Sequence, residues 1–190
     1  YKLYKQDATT LKDLYQKVNT LKDNSSLKRE VYTKILGSDA FKLHLHNITI
    51  ILQCISKSIN NDNSFRDSCM AENIKWISNY ENTEKIVVWA HNAHISKTKV
   101  YIKYDGHQMG YWITKLFSNK YYAIAFDFHK GGFRAKEDAW AYKNGIKGSN
   151  APRVVDRSIK VKIKGSTDYV LSKIGSQIIY LDYNTAVSNS

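Results

Sequence analysis

Three short runs, Ile86 to Ala90, Tyr122 to Phe128 and Ile178 to Leu181, are almost unbroken in their apolar character and rich in branched and aromatic residues. Runs of this length and composition read as strands buried on both faces, the situation of a mainly parallel sheet. Helical patterns fall between and beside them, near 108–118 and at 166–174, the latter bracketed by Ser166 as N-cap and Gly175 as stop. A further strand is expected at 159–163. The alternation predicts an α/β fold in which 85–90, 121–128 and 177–182 are neighbouring strands of one largely parallel sheet flanked by helices.

The first 80 residues read differently, as an N-terminal helical subdomain. Leu11, Leu14, Val18 and Leu21 recur at helical spacing, as do Phe41, Leu45, Ile48, Leu52 and Ile55. Turn signals stand at Asp23 to Ser26 and Gly37 to Asp39, with a polar break at Asn60 to Asn63. Lys130 to Val155, which contains four glycines and the only proline, Pro152, reads as a long loop or lid. With 190 residues and 43% apolar side chains, the chain suits one domain or the carboxyl-terminal part of a larger one, divided into a helical portion, 1–80, and an α/β portion, 84–190.

The net charge of +12 raises the question of nucleic acid, but the lysines are scattered. The densest group, Lys160, Lys162 and Lys164, alternates with Val161 and Ile163 as the solvated face of a strand would. Neither a nucleic-acid nor a membrane partner is expected, since no apolar stretch approaches the roughly 20 residues that span a bilayer. The chain opens on Tyr1 without a signal-peptide core and reads as a trimmed piece of something longer, with a cytoplasmic location favoured and the oligomeric state undetermined. Cys54 and Cys69 lack metal-binding spacing and read as buried thiols, a single disulfide between them being the alternative.

Three segments carry candidate chemistry. In KIVVWAHNAHI, residues 85–95, an apolar run ends in His91, Asn92 and His94, and functional groups in open α/β sheets collect beyond such strand ends. The histidines could be two zinc ligands without a recognisable third, a polar catalytic or binding loop, or a turn whose imidazoles bond to backbone. In SFRDSCMAENIKW, residues 64–76, Ser64 and Asp67 form a capping box, and Arg66, Met70 and Asn73 share one face of the helix that follows. Polar groups on such a face need polar or anionic company, although Arg66 could equally pair with a surface carboxylate. In GHQMGYWITKLF, residues 106–117, Gly110 near a helix start suggests a close backbone approach. His107 could be either exposed or functional. No GxSxG, P-loop, GxGxxG or HExxH occurs, which argues against the usual serine hydrolases, nucleotide binders and zincins.

Taken in order, RDSCMAENIKW, KIVVWAHNAH, the Met109–Gly110 pair followed by YYAIAFDFHKGGFRA, and the Gly-Ser-initiated last helix resemble the erythromycin esterase family over about residues 64–183. The resemblance implies hydrolysis of a carboxylic ester, a macrolide lactone or another bulky ester, by water that a histidine base activates, with neither cofactor nor metal. The family carries that base in a Gly-Glu-x-x-His-Gly segment, which this sequence does not contain. A carboxyl-terminal fragment inactive on its own is therefore expected.

Carried over by position, His91 orients or protonates the ester or its leaving alkoxide, His94 supports it, and Arg66 acts electrostatically. Asn73 and Asn92 fix these groups by hydrogen bonds and, with Met109, make up the substrate-binding residues. The competing reading is a noncatalytic module that holds an anionic ligand, glycan or protein partner in the same cleft.

Overall fold

The computed structural model describes residues 6–60, 62–98, 106–126, 130–136, 154–160, 164 and 167–174. Two compact units divide the chain, 1–125 and 126–190.

The first unit is helical. Helix α1 (Ala8–Leu27) starts where Asp7 accepts the backbone N–H groups of Thr9 and Thr10 at 2.9 Å, donors that no helical carbonyl can reach. Together with the Thr10 hydroxyl, these bonds hold the Asp7 carboxyl below its ordinary value. The turn signal at Asp23 to Ser26 is overridden, and α1 runs through it. Helix α2 (Arg29–Leu36) ends at Gly37, whose φ of 86° is cheap only for glycine.

Helix α3 (Ser38–Asn60) buries Phe41, Ile48, Leu52 and Ile55, four of the five residues of its expected stripe, chiefly against α1. Helix α4 (Asn63–Tyr80) folds back along α3 after the break at Asn60 to Asn63. There the His46 ring lies 3.6 Å from Trp76 and parallel to it, and Trp76 in turn stacks on Tyr80. Of the two cysteines, Cys69 is buried and Cys54 is exposed, and both are free thiols.

A single-turn helix α5 (Asn92–Ile95), helix α6 (Met109–Phe117) and a 3-10 turn at Ser118–Lys120 follow among the described residues of this unit. Buried Ala71 of α4 meets Met109 and Ile113 of α6 in a small core, against which Ile74, Ala90, Ile95 and Tyr121 pack. The second unit contains β1 (Lys130–Lys136), β2 (Val154–Lys160) and α7 (Thr167–Leu171).

The mainly parallel α/β sheet is not what forms. Among the described residues the sheet has two strands, β1 and β2, and they are antiparallel, Lys130 opposite Lys160 and Lys136 opposite Val154. Residues 85–90 and 121–126 join no ladder, 127–128 and 177–182 lie outside the described residues, and of the strand expected at 159–163 residues 159–160 belong to the strand Val154–Lys160 while 161–163 lie outside the described residues. The physical reason is visible in 85–90. Val87 and Trp89 are 95% and 86% exposed, and Ile86 and Val88 at 37% and 38% are also exposed, so neither face of this segment is buried. An unbroken apolar run thus reports a preference for extended backbone, not burial on two faces. Of the expected lid, the ends are strand, and 137–153 lie outside the described residues. The last helix appears, at Thr167–Leu171. No helix among the described residues is long and apolar enough to cross a membrane.

Candidate active site

The site grows from the first turns of α4. The N-cap is Asp62, whose Oδ1 accepts the Ser64 N–H at 2.8 Å, rather than a Ser64–Asp67 box. Ser64 is released for another task. Its Oγ accepts the His107 backbone N–H at 2.9 Å and donates to the His107 carbonyl at 3.2 Å, which clamps the segment before α6 onto α4. The His107 ring stacks on Tyr111 at 3.5 Å.

One residue after Arg66, Asp67 points inward and is buried. Its Oδ2 lies 2.9 Å from His94 Nδ1 and accepts the Met109 backbone N–H at 3.1 Å; its Oδ1 lies 3.5 Å from the Arg66 guanidinium. A buried carboxylate is tolerable because a helix start, an imidazole and a guanidinium all meet it. In the sequence Asp67 reads only as a capping residue. The signal was available: Asp67, Ala71 and Ile74 share one helical face, so a charge stands on the stripe that packs against α6.

The two histidines present opposite chemistry. A carboxylate only accepts, so neutral His94 carries its proton on Nδ1 and leaves the Nε2 lone pair as its basic site. His91 is the N-cap of α5, and its Nδ1 accepts the Ala93 N–H at 3.1 Å. Neutral His91 therefore carries its proton on Nε2 and can donate there. The single turn of α5 puts a basic nitrogen and a donor nitrogen three residues apart, both in tautomers fixed by the fold.

The other candidates separate. Arg66 and His94 meet at the Asp67 carboxylate. His91 and Asn92 instead edge a cavity of about 390 Å³, along with Ser96 and Lys97. Ala93, Ile95, Ala123 and Ala125 form its apolar walls, and neither Arg66 nor His94 lines it. Asn73 turns toward α3, donating to Gln53 Oε1 at 3.0 Å. The Met109 side chain is core, and what reaches the site is its backbone N–H. Among the described residues no three His, Cys, Asp or Glu side chains are grouped to hold a metal ion.

Gly110 sits where α6 passes beneath α5, and a Cβ there would run into the carbonyl oxygens of Ile95 and Ser96. The close approach read from the sequence is thus real, and it seats the cavity wall on the helix that Asp67 anchors.

A family model described as erythromycin esterase matches residues 1–189. No curated protein and no solved structure matches the chain. With the match running over nearly its whole length, the chain belongs to the erythromycin esterase family and so, at the level of the family, to the esterase-type hydrolases.

Proposed function

We propose that the chain hydrolyses a carboxylic ester, a macrolide lactone or another bulky ester, by direct attack of water. His94 Nε2 takes the proton from the attacking water as the new C–O bond forms, and Asp67 holds the imidazolium that results. His91 Nε2–H donates to the carbonyl oxygen or to the departing alkoxide, and the Arg66 guanidinium, 3.5 Å from the Asp67 carboxylate, acts electrostatically through the carboxylate that holds His94. When the intermediate collapses, the ester C–O bond breaks and the alkoxide takes up the proton, so no covalent acyl-enzyme is needed. Asn92 and the cavity beside it hold the substrate. The observation that carries this reading is the 2.9 Å contact between buried Asp67 and His94, the arrangement that fixes the tautomer and orientation of an imidazole.

The sequence has no Gly-Glu-x-x-His-Gly segment, the ground on which inactivity is expected; the Asp67–His94 pair supports a slow turnover without it. The test is hydrolysis of p-nitrophenyl butyrate and of a macrolide by the chain and by His94→Gln. Slow turnover that falls about 10²-fold or more in the variant is expected, the usual range for loss of a positioned base. Equal rates in the two proteins sink the reading. Retention of a small ester without any turnover would favour the noncatalytic module.

A further inference from the structure

We propose that the cavity beside His91 selects esters whose acyl chain is short, apolar and terminated by an anion, with Lys97 supplying the counter-charge. The inference rests on the hydrolase reading for the bond that is cut, and on the cavity alone for what is held.

At about 390 Å³ the cavity lies near the lower end of ligand sites, roughly 300–1,000 Å³. Ala93, Ala123 and Ala125 keep it open by having little side chain to fill it, and their methyl groups offer a ligand no hydrogen bond. Charge enters through Lys97. Its ammonium stands 5.5 Å from the centre of the Tyr121 ring, within cation–π range. Tyr121 is itself anchored, donating its hydroxyl to the Ile95 carbonyl at 2.6 Å, and Ile95 is part of the cavity wall. The ammonium thus stands beside a ring that is hydrogen-bonded to the cavity wall, close enough to meet an anion bound there.

Among the described residues no carboxylate lies within ion-pair distance of Lys97. The chain as a whole carries +12, a field that gathers anions and repels cations. An ester with a carboxylate at the far end of its acyl chain places methylenes against the alanines, the anion at Lys97 and the ester group near His91.

Equilibrium binding, read by ligand-observed NMR, tests this without requiring turnover. The probes are monoethyl glutarate and its neutral counterpart of similar length, ethyl pentanoate, offered to the wild type, Lys97→Met and Lys97→Arg. The wild type should favour the anionic ester about fivefold, as one partly exposed ion pair gives, and the preference should shrink as salt is raised. Lys97→Met should abolish the preference while keeping the affinity for ethyl pentanoate, and Lys97→Arg should retain it. Equal binding of the two esters by the wild type, a preference that survives Lys97→Met, or no binding of either at millimolar concentration overturns the proposal. If the charge preference is present but p-nitrophenyl esters are not turned over, the failure belongs to the catalytic reading and not to the cavity.

Discussion

Asp67 Oδ2 stands 2.9 Å from His94 Nδ1, joining a carboxylate from the second turn of α4 to an imidazole 27 residues further along the chain. The same oxygen receives the first N–H of α6 at 3.1 Å. One atom therefore orients the proposed base and ties down the helix on which the cavity rests.

Replacing Asp67 should separate these two duties. In Asp67→Asn the amide oxygen can take the place of Oδ2 and accept from both the Met109 N–H and His94 Nδ1–H, so the imidazole stays oriented but loses the negative charge that stabilises its protonated form during the reaction. Hydrolysis should fall by about 10²- to 10⁴-fold with little change in thermal midpoint. Asp67→Ala leaves a buried backbone N–H unpaired and should in addition cost about 1–3 kcal/mol of stability. Paired kinetics and thermal denaturation decide it: a kcat unaffected by Asp67→Asn would remove His94 from the chemistry.

His46 should make the helical unit weaken in acid. Burial against Trp76 pushes its imidazole below the ordinary 6.5, so the native state holds it neutral while the unfolded chain takes up a proton as pH falls below that value. Its contribution is complete above 6.5 and is lost as pH falls from 6.5 toward the lower folded value. Urea midpoints taken at about pH 7.5 and about pH 5 should differ more for the wild type than for His46→Phe, which keeps a ring on Trp76 and cannot titrate. An identical pH dependence in the two would show that His46 is not the group responsible.

Gly110→Ala tests the contact between α5 and α6. Alanine is the better helix former by about 1 kcal/mol, so a solvent-facing site would gain stability. Here the added Cβ meets the carbonyl oxygens of Ile95 and Ser96, which are backbone and cannot swing aside. A net loss of about 1–3 kcal/mol is expected, together with weaker ligand binding because Ile95 and Ser96 line the cavity. A variant as stable as the wild type would mean that the two helices are not so closely seated.

What could be read in the sequence follows the range of the interactions concerned. The stripe of α3 was legible because residues three and four apart must share a face whatever lies opposite, and Phe41, Ile48, Leu52 and Ile55 are indeed buried. The location of the histidines was legible as polar residues closing an apolar run. The sheet was not, because branched residues at 85–90 favour extended backbone while a ladder needs a partner that no local pattern specifies. The role of Asp67 was hidden for a related reason. Its partners, His94 and the Met109 N–H, are distant in sequence, so a carboxylate three residues after a serine near a helix break reads as half of a capping box.

That misplaced cap yields the last prediction, since Asp62 and Ser64 now have distinct tasks that two variants can tell apart. Asp62→Ala removes the acceptor for the Ser64 N–H at the start of α4, a loss of about 0.5–2 kcal/mol at an N-cap. Ser64→Ala leaves that cap intact and instead deletes both bonds to the His107 backbone, freeing the segment that leads into α6. Hydrogen exchange separates the two effects. Ser64→Ala should speed exchange at the His107 amide and leave the first turn of α4 protected as before, whereas Asp62→Ala should expose the Ser64 amide and leave His107 protected. Because α6 presents the Met109 N–H to Asp67, Ser64→Ala should also lower esterase turnover, and Asp62→Ala should not. If Ser64→Ala instead unravels the first turn of α4 and leaves His107 protected, the capping box read from the sequence is correct and the clamp is not.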